Sequence, residues 1–140
     1  MTNIEARRQA RIEIAETLKS AGLLDGITLT ASQMQNETRP AFWRGVVRDE
    51  KARAKDLYVT WHIPSSSAHT RADNQTMLRE VTIAVDVFSK RSFDSEMNHK
   101  LIERIETALT ENGYEVEMAS EQYENYTKLF HLPMTAFKLY

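Results

Sequence analysis

The stretch that decides the fold runs from Val81 to Tyr114 and reads VTIAVDVFSKRSFDSEMNHKLIERIETALTENGY. Its first part alternates. Val81, Ile83, Val85 and Val87 form an apolar row, and Thr82, Ala84, Asp86 and Phe88 form a mixed one. That period belongs to a strand with one face in a core and the other partly covered. A short basic turn follows at Lys90-Arg91-Ser92, and the spacing then becomes helical. Met97, Leu101, Ile105 and Leu109 recur at every fourth position, with Ile102 and Ala108 widening the stripe. Ser92 or Asp94 is placed to cap this helix, and Asp94 and Glu96 suit the positive end of its dipole. Asn112-Gly113 stops it. The unit is architecture, with no catalytic group placed on it.

Upstream, Leu57, Val59, Trp61 and Ile63 alternate with Tyr58, Thr60 and His62, which predicts a second strand ended by Pro64. The two strands are expected to pair as an antiparallel hairpin. The polar residues 64–76 would then form a loop, long beside the ~2–5 residues usual for hairpins. Downstream, Tyr114, Val116 and Met118 predict a third strand, and residues 119–127 a polar turn. Lys128 to Leu139 predicts a fourth, with Phe130, Leu132, Met134 and Ala136 on one face. Pro133 lacks a donor, so this strand is expected at an edge or kinked.

Thr2 to Leu24 reads as the opening helix. Thr2 and Glu5 have capping-box spacing, Ala10, Ile14, Leu18 and Ala21 recur on one face, and Gly22 suits the C-terminal cap. Residues 25–56 are the least legible. Asp25-Gly26 signals a turn, Ile27 to Thr30 suits a short strand, and Arg39-Pro40 argues against helix at Arg39. Ala41-Phe42-Trp43 and Val46-Val47 need cover, while RDEKARAKD at 48–56 belongs in water. Residues 1–140 therefore read as one α+β domain of order α-β-β-α-β-β. The expected architecture is a two-layer sandwich, an antiparallel or mixed four-stranded sheet with helices on one face.

Composition narrows function mainly by exclusion. The chain has no cysteine, so disulfides and thiolate chemistry are absent. No apolar run approaches the ~20 residues that span a bilayer, and the N-terminus does not read as a signal peptide. Net charge is −2, which gives no overall pull on nucleic acid. The charge is uneven: residues 1–55 hold 10 Lys/Arg against 7 Asp/Glu, and residues 56–140 hold 8 against 13. Random surface variation accounts for this, or complementarity between copies in a head-to-tail ring.

No catalytic or cofactor motif stands out. His62, His69, His99 and His131 form no tight ligand pair. Glu96, His99 and Glu103 share a helix face, which suits solvent as well as a metal. Ser65-Ser66-Ser67 lacks a nucleophile elbow, and there is no phosphate-binding glycine loop. Asp86, between two valines, is the best partly buried acid, and an arginine is its expected partner. The sequence therefore predicts no enzyme, no metal and no cofactor. The expected contact residues are Arg7, Arg8 and Arg11 on the first helix, Ser66, His69 and Arg71 in the polar loop, and Asp86 with Phe88 on the mixed face.

The second half, Leu57 to Tyr140, carries a resemblance. A strand pair, VDVFSK, a short turn, a helix of the form L-I-E-x-I-E-x-A-L-x-x-N-G-Y and a closing strand pair resemble the tail-terminator or tail-completion proteins of long-tailed bacteriophages and prophages. The resemblance implies a virion structural protein, made in the host cytoplasm and located in the neck region of the tail. It implies a homohexameric ring that caps the head-proximal end of the tail tube and joins it to the head connector. Its partners would be further copies of itself, the major tail tube protein and a head completion protein, with DNA passing through the lumen unread. Residues 31–56 are longer and more charged than in that family, and the serine-rich stretch is distinctive. A head-side connector or stopper component is the alternative role. A small non-enzymatic nucleic-acid-binding module using the basic 39–55 region is another.

Overall fold

Thr2 opens the first helix as a capping box. Its hydroxyl accepts from the Glu5 backbone N–H, and its own N–H donates to Glu5 Oε2 at 2.8 Å. Helix α1 runs Asn3–Ser20 and buries Ala6, Ala10, Ile14 and Leu18. It closes in a Schellman motif: Gly22, at φ +91°, donates to Lys19 O, and Leu23 donates back to Leu18 O. The computed structural model describes residues 1–36, 38–45, 55–72 and 75–140; the side chains of 34–36, 69–72 and 75–77 lie outside the described residues.

Next come strand β1 (Leu24–Asp25), a 3-10 turn (Gly26–Thr28), helix α2 (Ala31–Asn36) and strand β2 (Ala41–Arg44). The strand expected at Ile27 to Thr30 is thus the 3-10 turn. Asp25 Oδ1 accepts from the Ile27 N–H and draws the chain into that turn. Strands β3 (Leu57–Ala72) and β4 (Gln75–Ser89) form the hairpin, followed by α3 (Glu96–Glu111), β5 (Glu115–Met118), β6 (Gln122–Glu124) and β7 (Leu129–Leu139).

The broad α+β class holds, but the four-stranded sheet does not. One seven-stranded sheet forms in the order β1-β2-β3-β4-β7-β5, with β6 also on β7. β1 and β2, and β2 and β3, pair in parallel; all other pairs are antiparallel. β4 and β5 flank α3 but do not pair, because β7 lies between them. β1, β2 and β6 are too short for an alternating pattern to register.

The polar residues 64–76 are mostly strand. β3 continues past Pro64 and pairs with β4 out to Ala72 opposite Gln75. Pro64 falls in a register shift between His62 and Ser65, where its missing N–H breaks no regular ladder step. Ladder bonds join backbone groups, so polar side chains do not prevent them. Pro133 stands in an inner strand, opposite Asp86. Its carbonyl accepts from Ala119 on the side where β5 gives way to β6. Its donor-free nitrogen faces that gap.

Helices α1 and α3 cover one sheet face. Their apolar residues pack with Val59, Trp61, the Val81, Ile83, Val85 and Val87 row, Leu132, Met134 and Ala136. Each fully buried aliphatic side chain contributes about 1.5–3 kcal/mol. α3 begins later than Ser92 or Asp94 would allow: Ser95 is its N-cap and makes no side-chain capping bond. In its first turn Met97 is exposed at 57%, and Asn98 takes the inward position. Asn98 Nδ2 donates to Ser89 Oγ at 2.8 Å and lies within reach of the Arg91 and Ser92 carbonyls. It ties the β4–α3 corner together. α3 ends like α1, with Gly113 at φ +87° and Tyr114 donating back to Leu109 O. No helix among the described residues is long and apolar enough to cross a membrane.

Candidate interaction surface

Strand alternation sends the second row of β4 to the sheet face opposite α1 and α3. Register places Ala41, Tyr58, Phe88, His131 and Gln122 side by side on β2, β3, β4, β7 and β6. Tyr58 stacks on Phe88 at 5.0 Å, and Phe88 stacks on the His131 ring at 4.4 Å. Trp43 meets the Tyr58 edge at 6.2 Å. Stacked rings across strands are the sheet's analogue of helix i,i+4 pairs. Gly26 lies so close to Trp43 that a Cβ there would overlap the indole.

His131 sits between two acids. Its Nε2 is 2.7 Å from Asp86 Oδ1, and its Nδ1 is 3.1 Å from Glu124 Oε1. Carboxylates only accept, and a neutral imidazole offers a single N–H, so the neutral ring satisfies one acid at a time.

Beyond this aromatic row the same face is more open. Thr82, Ala84, Thr135 and Phe137 are half-buried, and Leu139 is 43% exposed. Glu115 and Glu117, which pair with Phe137 and Thr135, are exposed along β5. The outward positions of β4, β5, β6 and β7 from Glu80 onward carry Glu80, Asp86, Glu115, Glu117 and Glu124 and no lysine or arginine.

On the helical side a polar cluster ties α1 to β7. Glu13 Oε2 accepts from Lys138 Nζ at 2.9 Å and from the Tyr140 hydroxyl at 2.5 Å. Tyr140 and Tyr114 hydroxyls are 3.4 Å apart. Burial pushes the Glu13 carboxyl up, but hydrogen bonds from Tyr140, Lys138 and Gln9 outweigh it and hold the group below the usual carboxylate range. Burial pushes the Tyr114 phenol up to about 12. Tyr140 is raised too, first by burial and then because its hydroxyl donates to Glu13.

Of the expected contact residues, Asp86 and Phe88 come together through His131, which both touch. The partner of Asp86 is thus His131, not an arginine. The two are diagonal neighbours, since Asp86 faces Pro133 and His131 faces Phe88, and the imidazole reaches across to 2.7 Å; the outward positions of β4 to β7 from Glu80 onward hold no arginine. Arg7 and Ser66 meet within the chain: Arg7 Nε donates to Ser66 Oγ at 2.8 Å and Nη1 approaches Ile63 O at 3.4 Å. Arg11 Nε turns back to Arg7 O. Arg8 is exposed, with no ion-pair or hydrogen-bond partner among the described residues. The side chains of His69 and Arg71, and most of the charged run 48–56, lie outside the described residues.

On α3, His99 and Glu103 form an exposed pair at 2.9 Å, and Glu96 bonds Lys100 instead. Among the described residues no three His, Asp or Glu side chains are grouped to hold a metal ion. Sequence reasoning passed over Trp43, Tyr58 and Glu124. The only available signal for His131 was its place outside the apolar row of β7. No family model matches the chain, and no curated protein matches it.

Proposed function

We propose that this chain is a structural assembly protein. It forms a closed homo-oligomeric ring, a hexamer by resemblance, that caps the head-proximal end of a long phage tail tube and joins it to the head connector. The resemblance in VDVFSK and the following helix supplies the class. The observation that carries an assembly role is the outer sheet face: half-buried Ala84, Thr135 and Phe137 bordered by Glu115 and Glu117, which have no partner among the described residues. Such a surface, apolar within and charged at its rim, suits contact with protein. Its acidity weighs against nucleic-acid binding on this face, since phosphate binding needs lysine and arginine on the contacting surface.

The test is co-purification with tail tube protein, read by light scattering and negative-stain microscopy. The expected result is a ring at one tube end and shorter tubes as the chain is added. A monomer that leaves tube length unchanged overturns the reading.

A further inference from the structure

The outward ridge of α1 has its own pattern. Ile4, Arg8 and Ile12 are spaced four apart, so they stand in one row. Ile4 is 76% exposed and Ile12 is 62% exposed, with Arg8 between them. The inward residues Ala6, Ala10 and Ile14 are fully buried, so this row faces away from the sheet. The neighbouring acids are engaged: Glu5 bonds the Thr2 N–H and Glu16 pairs with Lys19. The ridge therefore presents two aliphatic side chains around one cation that has no partner among the described residues.

The outer sheet face presents the complement, with half-buried Ala84, Thr135 and Phe137 beside Glu115 and Glu117, which have no partner among the described residues. α1 packs on the opposite face of the sheet, so the two surfaces of one chain look in opposite directions. They cannot meet within a molecule but can meet between molecules.

We infer that the Ile4–Arg8–Ile12 ridge of one copy docks on the β4–β7–β5 outer face of the next, with Arg8 against Glu115 and Glu117. The contact is heterologous: each copy uses one surface to give and a different one to receive. The inference rests on the assembly reading above for its biological setting, though not for its chemistry. Two apolar residues flanking a paired charge supply both desolvation and orientation.

Sedimentation velocity of the full chain over a range of concentrations tests it, using Arg8→Glu, Glu117→Arg and Ile12→Asp. All three sites are exposed, and circular dichroism checks that each variant folds. Each single substitution is expected to weaken self-association by about tenfold or more. An equimolar mixture of Arg8→Glu and Glu117→Arg is expected to recover it. In that mixture an intact ridge meets an intact face, and the reversed pair meets with opposite charges. A wild-type chain that stays monomeric at every concentration overturns the inference. So does an oligomer indifferent to all three substitutions, which leaves the ring reading standing on another contact. An open filament built through these faces, or an oligomer that ignores tail tubes, supports the inference and sinks the ring reading.

Discussion

Replacing Gly26 by alanine places a methyl group where the Trp43 indole lies. Gly26 is buried, so the methyl cannot turn to solvent. The ring must move, or the 3-10 turn must lift off β2. Forcing one extra carbon into a packed site costs about 1–3 kcal/mol. Swinging the indole aside also forfeits its edge contact with Tyr58, worth about 0.5–1.5 kcal/mol. The expected loss is then about 3 kcal/mol, or roughly 10 °C in Tm for a chain of this size. Urea and thermal melts followed by far-UV circular dichroism measure it. Trp43→Leu supplies the control, since it removes the ring. In that background Gly26→Ala should cost below about 0.5 kcal/mol, giving a coupling of about 2.5 kcal/mol or more between the two sites. Equal losses in both backgrounds would refute the reasoning, because the backbone and not the ring would then be rejecting alanine. No loss in the wild-type background would show that the indole does not rest on Gly26.

Asn98→Ala should destabilise by about 2–3 kcal/mol, because it strips the buried β4–α3 corner of the Asn98 donor to Ser89 Oγ; a urea midpoint unchanged from wild type would count against this. Phe88→Ala removes a ring stacked on both sides by Tyr58 and His131 and should cost about 2–3 kcal/mol in the same assay. Glu13 has a lowered folded pKa, so its contribution is present above the unfolded value of 4.5 and is lost as pH falls through the folded value. Acid unfolding of Glu13→Gln should therefore depend less steeply on pH than that of wild type below about pH 5. Tyr114 has a raised folded pKa, so its contribution is complete below pH 10 and declines as pH rises toward about 12. Ultraviolet titration should show one fewer late-ionising phenol in Tyr114→Phe than in wild type, with Tyr140 still ionising late in both.

Helices α1 and α3 and the inner rows of β4 and β7 were legible because burial on one side imposes a period on the chain, whereas the six-residue α2 was not. Ala10, Ile14 and Leu18 repeat at helical spacing, and Val81 to Val87 alternate, so the residues name their element. Both helix stops were readable for a related reason: only a residue tolerant of positive φ ends a Schellman motif cheaply, and Gly22 and Gly113 stand there. The capping box at Thr2 and Glu5 is equally local. The misreadings have the opposite origin. Residues 64–72 look like loop because their side chains are polar, yet their backbone is held by β4 across the ladder. Met97 fits a helical row by spacing and lies inside α3, but in the first turn Asn98 takes the buried position and Met97 is exposed.

The interaction surface was half legible. Asp86 and Phe88 stood out on the mixed row of their strand. Their partners came from distant segments: Tyr58 from β3, and His131 and Glu124 from the chain's last quarter. No local pattern links residue 88 to residue 131, because the link is a register between two strands.

By itself, then, the amino-acid order determined where α1 begins, where α1 and α3 end, which strand face turns inward, and that thiol chemistry is absent. Those follow from forces acting over a few residues. Tertiary structure alone decided that β7 inserts between β4 and β5, that polar residues extend the hairpin, and that the outer face gathers rings and acids. Each depends on which backbone edge finds which partner, and that choice is made by closing contacts across the whole chain.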